Sequence, residues 1–147
     1  MKLVVQRVKE AKVVTKDDGK TVGKINKGLF VLVGVGKEDL EKNAFDLALK
    51  LSKLRIMQDN DGKMNLSVKD ANSSILVVSQ FTLFADAKGG NRPSFINAEE
   101  PSKAKNIYDK FIYFLKDFGC KVEKGVFGAY MAIDVKLDGP VTIILEN

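Results

Sequence analysis

The chain closes on residues 135–147, VKLDGPVTIILEN, and this stretch decides how the sheet of the protein ends. Val135 and the alternating apolar residues within 141–145 have the period of a strand, yet Asp138-Gly139-Pro140 lies between them. Proline has no backbone N–H and therefore donates nothing to a sheet, while X–Pro bonds are the ones that readily adopt the cis form. We expect a rigid elbow at Asp138-Gly139-Pro140; by itself this pattern is typical of a tight turn that joins two strands.

Several stretches ahead of the elbow have the composition of strands. Residues 29–35 (LFVLVGV) form a continuous apolar run, typical of a strand that is covered on both faces, and residues 75–83 (ILVVSQFTL) are the most strand-like run in the chain. A Gly-containing turn at 16–19 predicts a hairpin. The remaining predicted elements are a strand at 2–8, the hairpin strands at 11–15 and 21–25, a turn at 59–62, a mobile loop at 88–91, and two or three strands between 121 and 145.

Two segments have the period of a helix, because each places apolar residues on one stripe. The members are Leu40, Ala44, Leu47, Ala48, Leu51 and Leu54 in the first, and Ala104, Ile107, Tyr108, Phe111, Leu115 and Phe118 in the second. Asp39 is the predicted N-cap of the first helix. Pro101 is a good first residue for the second helix, and Gly119 ends it. The sequence therefore predicts one α+β domain over residues 1–147, with a mixed sheet and two main helices.

The composition is that of an ordinary globular domain, with 147 residues of which 45% are hydrophobic and 29% are charged. No apolar run approaches the ~20 residues of a membrane span, and the first residues lack the pattern of a secretory signal. The lone cysteine, Cys120, excludes an internal disulfide, so we expect a reduced, cytoplasmic protein. The net charge of +5 comes from scattered lysines, which fits either a solvated surface or a face that binds a polyanion.

The residue types that are absent narrow the chemistry. The chain has no histidine, which excludes Ser-His-Asp and Cys-His catalysis and, with a single cysteine, a typical zinc or iron–sulfur site. We therefore expect no metal and no cofactor. Gly34-Val35-Gly36-Lys37 lies between a strand and a helix, but Val31 and Glu38 occupy the positions where a phosphate-binding loop needs Gly and Ser or Thr. We interpret this segment as a strand-to-helix turn.

Six short motifs in one register cover the chain from end to end. The three most specific are SQFTL at 79–83, NRPSF at 91–95 and DGPVT at 138–142, and the others are QRV at 6–8, GKMN at 62–65 and GVFGAYM at 125–131. In this order and spacing the motifs closely resemble those of the D-aminoacyl-tRNA deacylase family. Each motif alone is weak, and the assignment depends on their common register.

The resemblance implies an ester hydrolase that acts on tRNA charged with a D-amino acid, or mischarged with glycine. It implies a homodimer in which each subunit is a barrel-like sheet with two helices packed outside, and in which two equivalent pockets lie at the dimer interface. The implied partner is aminoacyl-tRNA, held at its 3′-terminal adenosine and, through lysines and arginines that contact phosphates, at its acceptor stem. The family resemblance implies no cofactor and no membrane.

The resemblance also assigns a role to the elbow. In the family the Gly-Pro bond is cis, and the elbow of one subunit reaches into the pocket of the other. By this implication the carbonyls of Gly139 and Pro140 meet the α-amino group of the substrate, and an L side chain collides with backbone. Rejection by collision needs a rigid wall but no tight contact with the correct side chain. Arg7 is implied to brace the elbow; the alternative is an ordinary surface ion pair.

Ser79, Gln80, Phe81 and Thr82 are the implied catalytic residues, and their roles stay open at this point. A covalent role for Thr82 requires an adjacent base, and no histidine exists to serve as one, so a hydrogen bond inside the pocket is the favoured role for this hydroxyl. Our preferred hypothesis is that backbone amides around Gln80 and Phe81 hold the oxyanion, while the ribose 2′-hydroxyl assists the water. Alternatively, Ser79 and Thr82 are ordinary strand residues.

Phe81, Phe127 and Met131 are candidates for packing the terminal adenosine, since aromatic side chains stack bases without reading sequence. The alternative for these residues is plain core packing. One position departs from the family, which usually has Asn before Asp-Gly-Pro where this chain has Leu137. Asn can bond local backbone and shape a turn, and leucine cannot, so the support of the elbow is an open question.

Two rival functions remain at the level of sequence. One is a related deacylase with altered selectivity, which tolerates a trans Gly-Pro bond and clears a mischarged L-amino acid. The other is a non-catalytic protein that binds tRNA or DNA. The intact SQFTL and GPVT stretches argue against a loss of activity.

Overall fold

The computed structural model describes residues 1–147 and contains eight strands, two α-helices and one short 3-10 helix. In chain order the elements are β1 (Lys2–Thr15), β2 (Thr21–Ile25), β3 (Gly28–Gly34), α1 (Glu41–Lys53), β4 (Met57–Gln58), β5 (Met64–Leu66), β6 (Ser74–Ser79), the 3-10 helix (Phe81–Phe84), α2 (Pro101–Asp117), β7 (Lys121–Lys124) and β8 (Met131–Glu146). Neither α-helix has the length and apolar character needed to cross a membrane.

The main sheet is mixed and is organised around β1. The strands follow the order β2-β1-β3-β6-β7, and β8 also pairs with β1. β1 is antiparallel to β2, β3 and β8, whereas β3, β6 and β7 run parallel. Residues 2–8 of β1 pair with β3 and residues 11–14 with β2. The prediction of separate strands at 2–8 and 11–15 was wrong, because β8 pairs with both halves and holds them in one strand.

The barrel closes where β2 approaches β6 and β7. Gly23 lies in β2 at this approach: a Cβ there would lie 2.7 Å from the Leu76 side chain and 3.0 Å from the Lys124 carbonyl oxygen. A side chain would therefore hold the two edges apart. The predicted α+β class is confirmed, with a mixed and nearly closed barrel-like sheet and both helices packed outside it.

We expect Gly23→Ala to lower the free energy of unfolding by about 2 kcal/mol, since overpacking of a closely fitted contact typically costs ~1–3 kcal/mol. Urea unfolding followed by circular dichroism measures the change. Gly89→Ala is the matched control, because a Cβ at Gly89 meets nothing within 4 Å, and it should stay within about 0.5 kcal/mol of wild type. Equal stability of Gly23→Ala and wild type would contradict the close approach of the strands.

Apolar side chains pack on both faces of the sheet. Inside the barrel the cluster consists of Val8, Ala11, Val13, Ile25, Phe30, Leu76 and Val78. Between the sheet and the helices, a larger cluster includes Leu29, Val31, Ile75 and Val77 from the strands and Ala44, Leu47, Phe111 and Leu115 from the helices. Alternate residues of β3 and β6 thus enter different clusters, which is why both strands are continuously apolar.

The N-terminus of α1 differs from the prediction. The helix begins at Glu41, and Leu40 occupies its N-cap position. Asp39, the predicted N-cap, is instead buried; its carboxylate accepts the Gly36 N–H at 2.5 Å and pairs with the Met1 ammonium. A buried carboxylate needs such partners. Because the Asp39 carboxylate accepts the Gly36 N–H of the glycine turn, this amide is not available to a phosphate.

β6 is shorter than predicted. It ends at Ser79, and Phe81–Phe84 form a 3-10 helix instead of continuing the strand to Leu83. This helix packs over the end of β3, where a Cβ at Gly36 would lie 2.6 Å from the Phe84 ring. The glycine turn before α1 therefore makes room for the 3-10 helix, which in turn shapes the end of the sheet.

The predicted bounds of the second helix and the late strands agree with the structure. Pro101 is the first residue of α2, and Gly119 follows the C-cap residue Phe118. Residues 59–62 form the expected turn. Two strands, β7 and β8, follow α2, within the predicted number.

Candidate active site

The elbow is looped out of β8. Val8 pairs with Leu137 before the elbow, and Gln6 pairs with Thr142 after it. Between these two pairs β1 has one residue, Arg7, whereas β8 has the four residues 138–141. Gly139 has φ +144°, a region that residues with a Cβ rarely adopt. The Gly139–Pro140 peptide bond is cis, as the resemblance implies. The elbow is therefore a local excursion within one strand, not a turn between two strands.

Arg7 contacts the first residue of the elbow, Asp138. The arginine is only 3% exposed. Its Nη1 donates to the Ile56 carbonyl at 3.0 Å, and its Nε donates to the Asp138 carbonyl at 3.2 Å and lies 3.1 Å from the Asp138 carboxylate. A planar guanidinium with several acceptors is fixed in one geometry. The alternative reading of Arg7 as a surface ion pair is wrong, because the arginine is buried.

Leu137, the departure from the family pattern, takes no part in this support. Its side chain is largely exposed, and it pairs with Val8 in the last ladder position before the elbow. The contacts that hold the elbow come from Arg7 and from the backbone and carboxylate of Asp138. Loss of the asparagine therefore leaves these contacts intact.

A separate apolar cavity lies at the ends of β3 and β6. Its volume is about 620 Å³, within the usual range for small-molecule sites. The walls also include the start of α2, the segment just before it, and the residues around the beginning of β8. The lining residues are Val33, Val35, Val78, Ser79, Gln80, Phe81, Ala98, Glu99, Pro101, Ala104, Tyr108, Phe127, Gly128, Ala129, Tyr130, Met131 and Ile133.

The predicted site residues fall into those that line the cavity and those that do not. The cavity brings together Ser79, Gln80, Phe81, Phe127 and Met131. The residues that do not line it are Thr82, Gly139, Pro140 and Arg7. Along β8, Gly139 lies six positions after the cavity residue Ile133, which corresponds to ~20 Å of strand at ~3.3 Å per residue. In a single chain the elbow and the cavity are therefore two distinct places.

The backbone at Gln80 departs from the oxyanion hypothesis. The Gln80 N–H donates to the Val33 carbonyl at 2.7 Å, which commits this amide to the sheet. The first bond of the 3-10 helix runs from the Leu83 N–H to the Gln80 carbonyl, so the Phe81 N–H has no acceptor inside that helix. Of the two amides, that of Phe81 is the one left for an oxyanion at this edge of the cavity.

Thr82 and Ser79 differ in their surroundings. The Thr82 hydroxyl accepts a hydrogen bond from the Gln80 side-chain amide, and Thr82 is exposed outside the cavity. The prediction that its hydroxyl lines the pocket is therefore not met within one chain, because the 3-10 helix turns this side chain away from the strand direction. Ser79, the last residue of β6, does line the cavity.

Three cavity residues with polar groups were missed from the sequence. Tyr108 is buried and donates its hydroxyl to the Val77 carbonyl at 3.1 Å, and burial raises its pKa, so the phenol stays protonated. The hydrogen bond from Lys103 lowers the pKa of the Glu99 carboxylate. Tyr130 lies at the rim of the cavity and is exposed. Tyr108 carried a sequence signal in its place in a helix stripe, which points to core packing. Tyr130 lies in the GVFGAYM motif but was not singled out within it.

Known proteins match the chain over its whole length. A family model described as D-Tyr-tRNA(Tyr) deacylase matches residues 4–146. A D-aminoacyl-tRNA deacylase of Thermotoga petrophila is 54% identical over 147 residues, which is 100% of this chain and 97% of the relative. A D-aminoacyl-tRNA deacylase of Clostridium perfringens is 47% identical over 147 residues, with the same shares covered.

Two solved structures share the fold. The one named c-Myc DNA Unwinding Element Binding Protein has a TM-score of 0.92 at 39% identity, covering 100% of this chain and 99% of that one. The structure of a probable eukaryotic D-amino acid tRNA deacylase has a TM-score of 0.87 at 14% identity, covering 99% and 98%. At the lower identity the likeness concerns the fold alone.

Proposed function

The chain belongs to the D-Tyr-tRNA(Tyr) deacylase family, and on that premise we propose that it is a carboxylic ester hydrolase that removes the amino acid from D-aminoacyl-tRNA. The products are free tRNA and the D-amino acid. The observation that carries the proposal is the family match over the whole chain. The cavity supports it, because residues 79–81, which belong to one of the motifs behind the resemblance, line its wall.

The cavity is the proposed site of the terminal adenosine and the ester. Its walls are mainly apolar and its volume suits a small ligand. Phe127 and Met131 offer apolar surface to the base. Phe81, whose ring packs edge-to-face on Phe95 with centroids 5.0 Å apart, offers a further ring at the mouth. The positive net charge supports a hold on the acceptor stem through its phosphates, with affinity that falls as salt rises.

We place the elbow of one subunit in the cavity of another, in a homodimer. Within one chain the elbow lies outside the cavity, so a second copy is the available source of these carbonyls. A two-fold axis supplies both sites at once, because each subunit then gives and receives an elbow. The exposed apolar side chains of β8, Ile133, Leu137 and Ile144, support an interface along this strand.

The elbow accounts for the proposed selectivity. The carbonyls of Gly139 and Pro140 accept hydrogen bonds from the substrate ammonium, which fixes the Cα of the amino acid. A D side chain then points away from the elbow, and an L side chain collides with it. Glycine has no side chain to exclude, so glycyl-tRNA is also a substrate under this proposal.

The proposed chemistry is direct hydrolysis. The oxygen of a water forms a bond to the ester carbonyl carbon, and the bond from that carbon to the ribose 3′-oxygen breaks, with a proton passing to the 3′-oxygen. The Phe81 N–H stabilises the oxyanion; one such donor is worth ~10²–10³ in rate. The ribose 2′-hydroxyl assists the water, since the chain has no histidine to act as a base.

Thr82→Ala should keep most of the single-turnover rate of deacylation. The Thr82 hydroxyl is bonded to the Gln80 side chain, and an amide cannot act as the base that activates a nucleophile. Rapid-quench measurement on a D-aminoacyl-tRNA gives the rate. Capture of an acyl group on Thr82, seen by mass spectrometry of quenched protein, would contradict direct hydrolysis.

The proposed function is tested by incubating purified protein with D-Tyr-tRNA and L-Tyr-tRNA in parallel. We expect rapid loss of the D-ester and retention of the L-ester. Faster loss of the L-ester would favour the rival deacylase with altered selectivity. Light scattering after size exclusion measures the mass in solution, and a monomer would rule out the shared site.

A second candidate function is binding to nucleic acid without turnover. It is favoured by the 39% identity to the structure named c-Myc DNA Unwinding Element Binding Protein and by the net charge of +5. The deacylation assay separates the two functions. Loss of the D-ester no faster than in buffer alone would support the binding protein, and faster loss excludes a purely non-catalytic role.

A further inference from the structure

Tyr130 and Lys16 form an exposed pair at the rim of the cavity, and we infer that this pair binds the nucleotide next to the terminal adenosine of tRNA. The inference rests on the proposed function, since it assumes that the terminal adenosine occupies the cavity. The ligand class is single-stranded nucleic acid. The contact combines stacking on the tyrosine ring with a contact from lysine to phosphate.

Tyr130 is the most exposed aromatic residue that borders the cavity. It is 70% exposed and directly precedes β8. Tyr108 and Phe127 pack on each other with ring centroids 5.6 Å apart, and Phe81 packs on Phe95. No other aromatic ring packs on Tyr130. Its ring therefore contributes little to the fold and has surface available for a ligand.

Lys16 brings a positive charge to the same point. Its Nζ lies 4.5 Å from the centroid of the Tyr130 ring. Its backbone N–H donates to the Tyr130 carbonyl at 3.0 Å, which fixes the turn between β1 and β2 to the rim. The other lysine of this turn, Lys20, is paired with Asp18 at 2.9 Å, whereas Lys16 has no carboxylate partner. Its charge faces the Tyr130 ring and is not neutralised by a carboxylate, so it attracts a phosphate.

The base and the phosphate of a nucleotide match the tyrosine and the lysine of this pair, respectively. An aromatic side chain stacks any base through the face of its ring, and a lysine beside it attracts the phosphate. Because Tyr130 lines the exposed rim of the chamber proposed for the adenosine, the base it meets is the one before the 3′ end. All mature tRNAs end in the same CCA sequence, so this contact serves every tRNA without reading its identity.

The test compares two D-tyrosyl esters, one on adenosine and one on the trinucleotide CCA, with the full chain. Tyr130→Ala should raise the KM for the trinucleotide ester about tenfold more than the KM for the adenosine ester, as expected for the loss of one stacked base. Tyr130→Phe keeps an aromatic ring and should restore the wild-type ratio of the two KM values. Lys16→Ala should weaken the salt dependence of the trinucleotide KM by about one phosphate contact. Tyr113→Ala is the matched control, since this exposed tyrosine of α2 does not border the cavity.

The outcomes are distinct. If Tyr130→Ala raises both KM values equally, the ring belongs to the adenosine site and the inference fails; if it changes neither, the pair binds no nucleotide. Failure of the proposed function gives another result, since wild-type protein then hydrolyses neither ester. In that case fluorescence anisotropy with an uncharged CCA oligonucleotide still tests the pair: weaker binding by Tyr130→Ala supports it, and equal binding overturns it.

Discussion

Gly139→Ala should lower kcat/KM for a D-aminoacyl-tRNA about 100-fold, the loss expected when positioning groups move by ~1 Å. A Cβ at residue 139 would lie 2.5 Å from the Val141 nitrogen and 2.9 Å from the Val141 side chain. The backbone must therefore shift, and the carbonyls of Gly139 and Pro140 shift with it. Steady-state deacylation of D-Tyr-tRNA measures the effect, and the L-ester measured alongside reports the change in selectivity.

Gly90→Ala is the matched control for this variant. Gly90 has φ +147°, close to that of Gly139, but a Cβ there meets nothing within 4 Å. It therefore introduces the same backbone strain without a collision, and its activity should stay close to wild type. If Gly139→Ala keeps both the rate and the D-over-L preference of wild type, the elbow is only a turn in the strand and the proposed selectivity is wrong.

Arg7→Ala should lower the free energy of unfolding by about 3 kcal/mol, since removal of one partner from a buried ion pair costs ~3–5 kcal/mol and the Asp138 carboxylate keeps some contact with water. The change also leaves the Ile56 carbonyl without its donor. Deacylation should fall as well, because the elbow loses its support. Urea unfolding at one fixed protein concentration measures stability, since the stability of the proposed dimer would depend on concentration.

Lys136→Ala is the control for the loss of a charge. The Lys136 Nζ lies 3.8 Å from the Glu10 Oε1 in an exposed ion pair between β8 and β1. Such pairs contribute ~0–1 kcal/mol to the free energy of unfolding. Arg7→Lys gives a second comparison, because lysine keeps the charge but lacks the planar fork that reaches several acceptors. Stability of Arg7→Ala equal to that of Lys136→Ala would show that the buried contacts of Arg7 are unimportant.

The helices and the paired runs of the sheet were predictable because their patterns are local. The stripe of the second helix and its flanking Pro101 and Gly119 predicted α2 closely. The strand-like composition of residues 75–83 could not reveal that β6 stops at Ser79. That end depends on the 3-10 helix packing over Gly36, which is more than 40 residues away in the sequence.

The site was predictable in its membership but not in its arrangement. Family motifs singled out Arg7, yet its acceptors lie 49 and 131 residues away in the sequence, at Ile56 and Asp138. The donation from Gln80 to Val33 that removes an amide from the oxyanion hypothesis is likewise a contact between strands. Tyr130 lies in the GVFGAYM motif, yet nothing in that motif indicates that its ring is exposed at the border of the cavity.

The sequence by itself determined the fold class, the family resemblance and the elbow, because apolar periodicity, short motifs and the chemistry of Gly-Pro are all properties of neighbouring residues. The tertiary structure alone decided that β1 is one strand, that Arg7 is buried beneath the elbow, and that elbow and cavity are separate within one chain. These features depend on which distant segments pack together. Strand pairing and the burial of side chains decide which distant segments pack together, and a short stretch of sequence does not contain that information.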